Sequence, residues 1–220
     1  MRILLPPSEK KRTPTSSKAL NLAELSFASE LTHIRAKLLA DLPGLPTEPA
    51  GPAITVYSGV LYQALGWESL NEKDRARACE SIVISSALFG ALKVDDEIPN
   101  YKLKVKTSHW KTPLEKALSE LEEELIVDCR SSTYAAMWKS NPRITTGIRV
   151  FEIRKGKRQV ITHMAKKTRG EIARFLIKEK DSPGSPEELL MVLAKKFNVE
   201  LVIPKNGKGW FLDVIVHPTS

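Results

Sequence analysis

Two short runs rich in β-branched residues, Ile82–Ile84 and Leu125–Val127, each lead into a segment with helical spacing, Ala87–Leu92 and Ser132–Trp138. A buried strand that feeds a helix is the building unit of an α/β architecture, and this alternation constrains the fold more than any other feature. Arg2–Leu5 reads as a further short strand, stopped by Pro6 and Pro7. A helix over about Asn21–Ala40 follows, with Leu22, Leu25, Phe27, Leu31, Ile34 and Leu38 at roughly helical spacing. The proline-rich stretch 41–52 reads as an irregular connection, because its prolines cannot donate backbone hydrogen bonds. Residues 111–124 read as an amphipathic helix carrying Leu114, Leu118 and Leu121, and 146–164 as a hairpin turning at RKGK. A helix near Pro186–Phe197 and strands at Glu200–Ile203 and Trp210–Val216 complete the pattern. With no repeat and no concentrated linker, the expectation is one α/β domain over 1–220: a mixed sheet flanked by helices.

Several function classes are disfavoured. No apolar run approaches the ~20 residues of a membrane span, and Ile3–Leu5 is too short for the core of a signal peptide, so a cytoplasmic protein is expected. Cys79 and Cys129 form no CxxC pair, and His33, His109, His163 and His217 show no HxxxH or HExxH spacing. No cofactor or metal is therefore expected. The Gly-rich phosphate loop and the dinucleotide fingerprint are absent as well.

Charge is distributed unevenly. The chain carries 34 Lys and Arg against 26 Asp and Glu, and Lys139–Lys180 alone holds thirteen basic residues against Glu152, Glu171 and Glu179. A concentrated field of one sign suits a phosphate-rich partner. Its centre is THMAKKTRGEIARF, 162–175. For a helix starting near Ala165, with Lys166 at zero, Ile172, Phe175 and Leu176 define an apolar side at about 180–280°. Lys167, Arg174 and Lys178 then face solvent near 80–120°, whereas Arg169 falls beside the apolar sector at about 300° and Lys166 at its border. Gly170 costs about 1 kcal/mol relative to Ala inside a helix. An anion held by Lys166, Arg169 and the helix start accounts for both departures; an internal ion pair from Arg169 to Asp95, Asp96 or Asp128 is the competing reading.

Other segments offer candidate groups. Ser8, Glu9, Lys10 and Lys11 follow the first strand, where functional loops emerge, although a solvated loop explains them equally. Tyr57, Ser58, Gly59 and Tyr62 offer stacking surfaces and close backbone approach, or ordinary packed tyrosines. Asp95 and Asp96, near Tyr101 and Lys102, suit acid–base work or turn and cap roles. Ser131 and Ser132 can cap the helix after Leu125–Val127, with Arg130 reaching toward an anion at its positive end.

In this order the segments resemble the YaaA family, bacterial peroxide-stress proteins also described as UPF0246. AKKTRGEIARFLI, 165–177, is similar to the family pattern AKxARGxxxRxII through Ala165, Lys166, Lys167, Arg169, Gly170, Arg174, Phe175 and Ile177. LFGALKVDDEIPNYKL, 88–103, resembles LYGxLRPxDxIxPYRL at Leu88, Gly90, Leu92, Asp96, Ile98, Tyr101 and Leu103. Gly59 and Tyr62 match the GDVY element, and Ser131 and Tyr134 the later SxxY element. The resemblance implies a mixed α/β fold with a positively charged cleft, double-stranded DNA binding, and limitation of oxidative damage linked to intracellular iron; it implies no established reaction. Val60 stands in place of the Asp of GDVY and Val94 in place of a Pro. The region before Tyr57, where family members can carry a helix-hairpin-helix element, is abbreviated, and Pro46, Pro49 and Pro52 oppose a second helix there.

The expected function is phosphate-directed binding of duplex DNA by Lys166, Lys167, Arg169, Gly170, Arg174, Lys10 and Arg130. The alternative is an enzyme holding a small phosphorylated or nucleotide-like ligand on Lys166 and Arg169. Ser8, Glu9, Tyr57, Asp96 and Tyr101 then line its pocket, with no catalytic residue assigned. A third reading is an interaction protein that docks an acidic partner through its basic segment.

Overall fold

The structure, a computed structural model, describes residues 1–154, 156–160, 162–203 and 209–216. The chain opens with β1 (Arg2–Leu5), α1 (Ala28–Leu39), β2 (Ala50–Pro52), α2 (Ala53–Val56), α3 (Val60–Leu65) and α4 (Glu72–Ser81). It continues with β3 (Ile82–Ser86), β4 (Gly90–Leu92), β5 (Glu97–Pro99), α5 (Lys111–Ala117), β6 (Ile126–Asp128) and α6 (Ser132–Ala135). The last third holds β7 (Thr145–Arg154), β8 (Lys157–Val160), α7 (Thr162–Lys178), α8 (Pro186–Ala194), β9 (Val199–Val202) and β10 (Trp210–Val216).

The main sheet runs β4-β3-β1-β6-β7-β10-β9, with β8 added to β7. Strands β3, β1, β6, β7 and β10 are mutually parallel; β4, β9 and β8 are antiparallel additions. β2 and β5 form a separate antiparallel pair. Helices cover both faces, as a parallel sheet requires, and successive residues of each strand divide between the two layers. Ile3, Leu5, Ile82, Ile84 and Val127 join α3, α4 and α7 in the larger core. Leu4, Val83 and Ile126 meet Leu31 of α1, Leu114 of α5 and Trp110 in the smaller one. The expected mixed α/β architecture is therefore the one observed.

Some local readings require correction. Residues 87–92 are not helical: Ser86 Oγ accepts from Phe89 N–H at 2.9 Å, Gly90 turns at φ +76°, and β4 folds back on β3 with Ile84 opposite Leu92. Leu88 and Phe89 are both fully buried, so the segment has lost the one-sided periodicity that separates strand from helix. The helix expected over 132–138 ends at Ala135, and α1 starts at Ala28, where the chain enters through Phe27 at φ +60°. The 111–124 helix gives way after Ala117 to a 3-10 turn over Ser119–Glu123. Stretch 41–52 holds a 3-10 turn, Leu45–Thr47, and β2.

Helix α7 starts at Thr162, earlier than expected, so Gly170 lies in its middle and not at its amino end. The glycine is explained by packing. A Cβ on Gly170 would collide with the Leu61 carbonyl oxygen and stand 2.9 Å from the Ala64 side chain, because α3 crosses α7 at this point. Gly170→Ala should consequently destabilise the fold by about 1–3 kcal/mol through overpacking. Helix propensity alone predicts a gain of about 1 kcal/mol. Urea denaturation distinguishes the two by the direction in which the midpoint moves.

Candidate functional site

The parallel order has a switch point. From β1 the chain crosses to β3 on one side, and later returns to β6 on the other. Loops leaving β1 and β6 at their carboxyl ends therefore diverge, and the crevice between them is where open α/β sheets bind ligands. Pro6–Lys11 leaves β1 at this edge, and Cys129–Ser131 leaves β6. β7 outruns β6: it pairs with β6 over Thr145–Gly147 and with β8 over Phe151–Arg154. β8 and the start of α7 thus stand beyond the end of β6 and wall one side of the crevice.

The floor is built from tyrosines. Tyr57 Oη lies 2.9 Å from Tyr101 Oη, which lies 2.7 Å from Ser86 Oγ, and Tyr62 Oη donates to the Pro6 carbonyl at 2.8 Å. Burial pushes all three phenols above their ordinary range, so they are neutral hydrogen-bonding groups. Burial likewise raises Tyr134, to about 12, with Tyr101 and Glu9 adding negative potential. Residues 10–12 pair with the segment around Tyr57: Ser58 N–H donates to the Lys10 carbonyl and Arg12 N–H to that of Val56. Lys11 Nζ is thereby placed 4.4 Å from the Tyr101 ring centre and 5.6 Å from that of Tyr57. Burial lowers the Lys11 ammonium pKa, with nearby Glu9 opposing the shift.

The basic helix divides differently from its sequence reading. Arg174 is not simply a solvent-facing cation: its Nη1 donates to the carbonyls of Leu65 and Gly66 at 2.8 and 2.9 Å, completing the carboxyl end of α3. Arg169 makes none of the expected ion pairs; its Nη2 donates to the Ile148 carbonyl at 3.0 Å, just past the end of β6. Asp128 is engaged by Arg130 through Nε and Nη2 at 2.9 and 2.8 Å. Arg130 is itself buried, with Nη2 on the Trp138 carbonyl at 3.1 Å. Lys166 is exposed, and Lys167, also exposed, reaches Glu171 at 3.8 Å.

Ser8, Tyr57 and Tyr101 are brought together at the crevice. Ser8 Oγ fills the space beside Gly59, while Glu9 and Lys10 are exposed on the same loop. Asp96 has a turn role: its carboxylate accepts from Ser26 N–H and Oγ at 2.8 and 2.9 Å and from Lys93 N–H at 2.9 Å. Two features take on weight only in the structure. Lys11 stood in a run of cations that reads as solvated. Lys102, Lys104 and Lys106 are exposed while Leu103 and Val105 pack against the core, an alternation that itself signals an extended segment. Among the described residues, no group of three or more His, Cys, Asp and Glu is placed to hold a metal ion, and no helix is long and apolar enough to cross a membrane.

Fold and site together define a two-layer-covered α/β protein with a polar crevice at its switch point. The chain belongs to the YaaA family: the family model described as peroxide stress protein YaaA matches residues 1–201. A UPF0246 protein of Streptomyces coelicolor is 32% identical over an alignment of 260 positions that covers 99% of each chain. A UPF0246 protein of Corynebacterium glutamicum is 34% identical over 91% of this chain and 95% of its own. An uncharacterized protein of Campylobacter jejuni is 31% identical, with 86% and 76% covered.

The two cysteines are poor candidates for peroxide chemistry. Burial raises the Cys129 thiol to about 12 despite nearby Arg169, and burial followed by Asp95 raises Cys79. Since the thiolate is the reactive form, both should react with hydrogen peroxide at neutral pH more slowly in the folded protein than in the urea-unfolded chain. Mass spectrometry of timed peroxide exposures checks this.

Proposed function

We propose that this protein acts in the cytoplasmic response to peroxide stress by binding double-stranded DNA, largely through phosphates. The observation that carries the reading is a set of exposed lysines on both sides of the crevice. Lys166 on α7 stands on the β7 side with no carboxylate within ion-pair distance among the described residues. Lys102, Lys104 and Lys106 extend from Tyr101, beside the end of β3, and Lys10 lies on the loop between. Cations without internal partners are free to displace the counterions of a phosphate backbone, which favours binding with little sequence selectivity.

The arginines contribute less to this surface than their number suggests. Arg149, Arg154 and Arg158 are paired with Asp213, Glu152 and Glu200, and Arg174 and Arg130 serve the fold. Lys167 shares its charge with Glu171 in an exposed pair worth little. With no second helix in 41–52, the contact surface in this reading is the carboxyl edge of the sheet. Family membership supports the stress role.

Duplex binding measured across a salt series should show log affinity falling linearly with log salt. Lys166→Gln and Lys10→Gln should each reduce the magnitude of that slope by about 1, whereas Lys178→Gln, at the far end of α7, should leave it unchanged. Absence of duplex binding at low salt would rule the proposal out.

A further inference from the structure

We infer that the crevice at the switch point is also a seat for a single small phosphate group, bound by Lys11, Arg169, Ser58 and Ser8. This site is separate from the exposed lysines and does not depend on duplex binding.

Ser58 is the first observation. It is more than nine-tenths buried, yet its Oγ has no hydrogen-bond partner among the described residues. Its backbone is fastened to the Lys10 carbonyl, its predecessor Tyr57 faces Lys11, and its successor Gly59 abuts Ser8 Oγ. The hydroxyl is thus held in the loop lining the crevice, and a buried donor without an acceptor is destabilising until a ligand supplies one.

Arg169 is the second. Other buried or partly buried arginines have acids near them: Arg2 has Glu124, Arg77 has Asp74 and Arg130 has Asp128. Burial brings the pKa of fully buried Arg35 down to about 10, with Asp96 nearby opposing the shift. Arg174 sits on the negative end of α3. Arg169 has one backbone carbonyl and a buried Nε without an acceptor among the described residues. Its neighbour Gly170 lies against the Leu61 carbonyl, so α7 passes close to α3 at the level of Arg169. The Ile148 carbonyl that accepts from Arg169 lies just past the last β6–β7 pair, which locates Arg169 at the end of β6.

Lys11 is the third, a half-buried ammonium between two tyrosine rings with no carboxylate within ion-pair distance among the described residues. Two uncompensated cations and two hydroxyls, drawn from the loop after β1, the loop before α3 and the middle of α7, supply donors from several directions. That arrangement suits the tetrahedral, multiply charged oxygen set of a phosphate better than a planar carboxylate. The half-buried ring of Tyr134 offers an apolar surface beside it for whatever carries the phosphate.

Isothermal titration calorimetry on the full chain, with inorganic phosphate, adenosine monophosphate and acetate as probes, tests this. Saturable binding of phosphate and the nucleotide, without binding of acetate, is expected. Lys11→Gln should weaken it about ten-fold or more and Ser58→Ala a few-fold. Neither side chain makes a hydrogen bond that the fold would lose, and circular dichroism confirms folding. Lys178→Gln should bind as wild type, and Ser58→Ala should keep the duplex affinity of the wild type, so that failure here is distinguishable from failure of the DNA reading. No phosphate binding by the wild type, equal affinity for acetate, or wild-type affinity in both Lys11→Gln and Ser58→Ala would overturn the assignment.

Discussion

Strand β1 is hydrogen-bonded in parallel on both edges, with Ile3 opposite Ile82 of β3 and Val127 of β6. Much of the molecule follows from that constraint. A strand in the middle of a parallel sheet must have both faces covered, so helices are committed to both layers. The first crossover and the later one must leave it on opposite sides, so the loops at its carboxyl end part from those of β6. The polar groups the crevice holds come from these loops and from the elements packed behind them. The crevice is thus a consequence of strand order before it is a matter of particular side chains.

The contact between α3 and α7 turns this opening into a defined site. Gly170 lets the two helices approach closely, with Arg169 reaching the Ile148 carbonyl and Arg174 set against the end of α3. Two arginines five positions apart on one helix thereby acquire unrelated tasks. One neutralises a helix terminus; the other keeps much of its charge for an outside partner. Electrostatics alone would not separate them, since both lie in the same basic segment.

Strands β1, β3, β6 and β10 were legible because their apolar runs are short, rich in branched residues and bounded by turn or helix signals. The hairpin at β3–β4 was not, because burial on both sides removes the polar stripe that distinguishes a strand from a helix. Lys166, expected at the border of the apolar sector, is exposed. Arg174 was placed on the solvent side, since a helical wheel contains no information about α3, more than a hundred residues earlier in the chain. The alternation in Lys102–Lys106 was present in the sequence and was outweighed by the neighbouring carboxylates.

By itself, then, the sequence determined the class of fold, the family and the location of the excess positive charge, because these depend on local pattern and composition. Which cations are free was decided by tertiary structure. An arginine is spent or available according to the carboxylates and carbonyls that distant segments bring to it, and a serine becomes an unsatisfied donor only when packing takes away its water. Pairing and desolvation are properties of the assembled chain. For that reason Lys11 and Ser58, which the sequence offers equally as solvated or packed residues, are distinguished only in the folded protein, by a half-buried ammonium and an unpartnered buried hydroxyl.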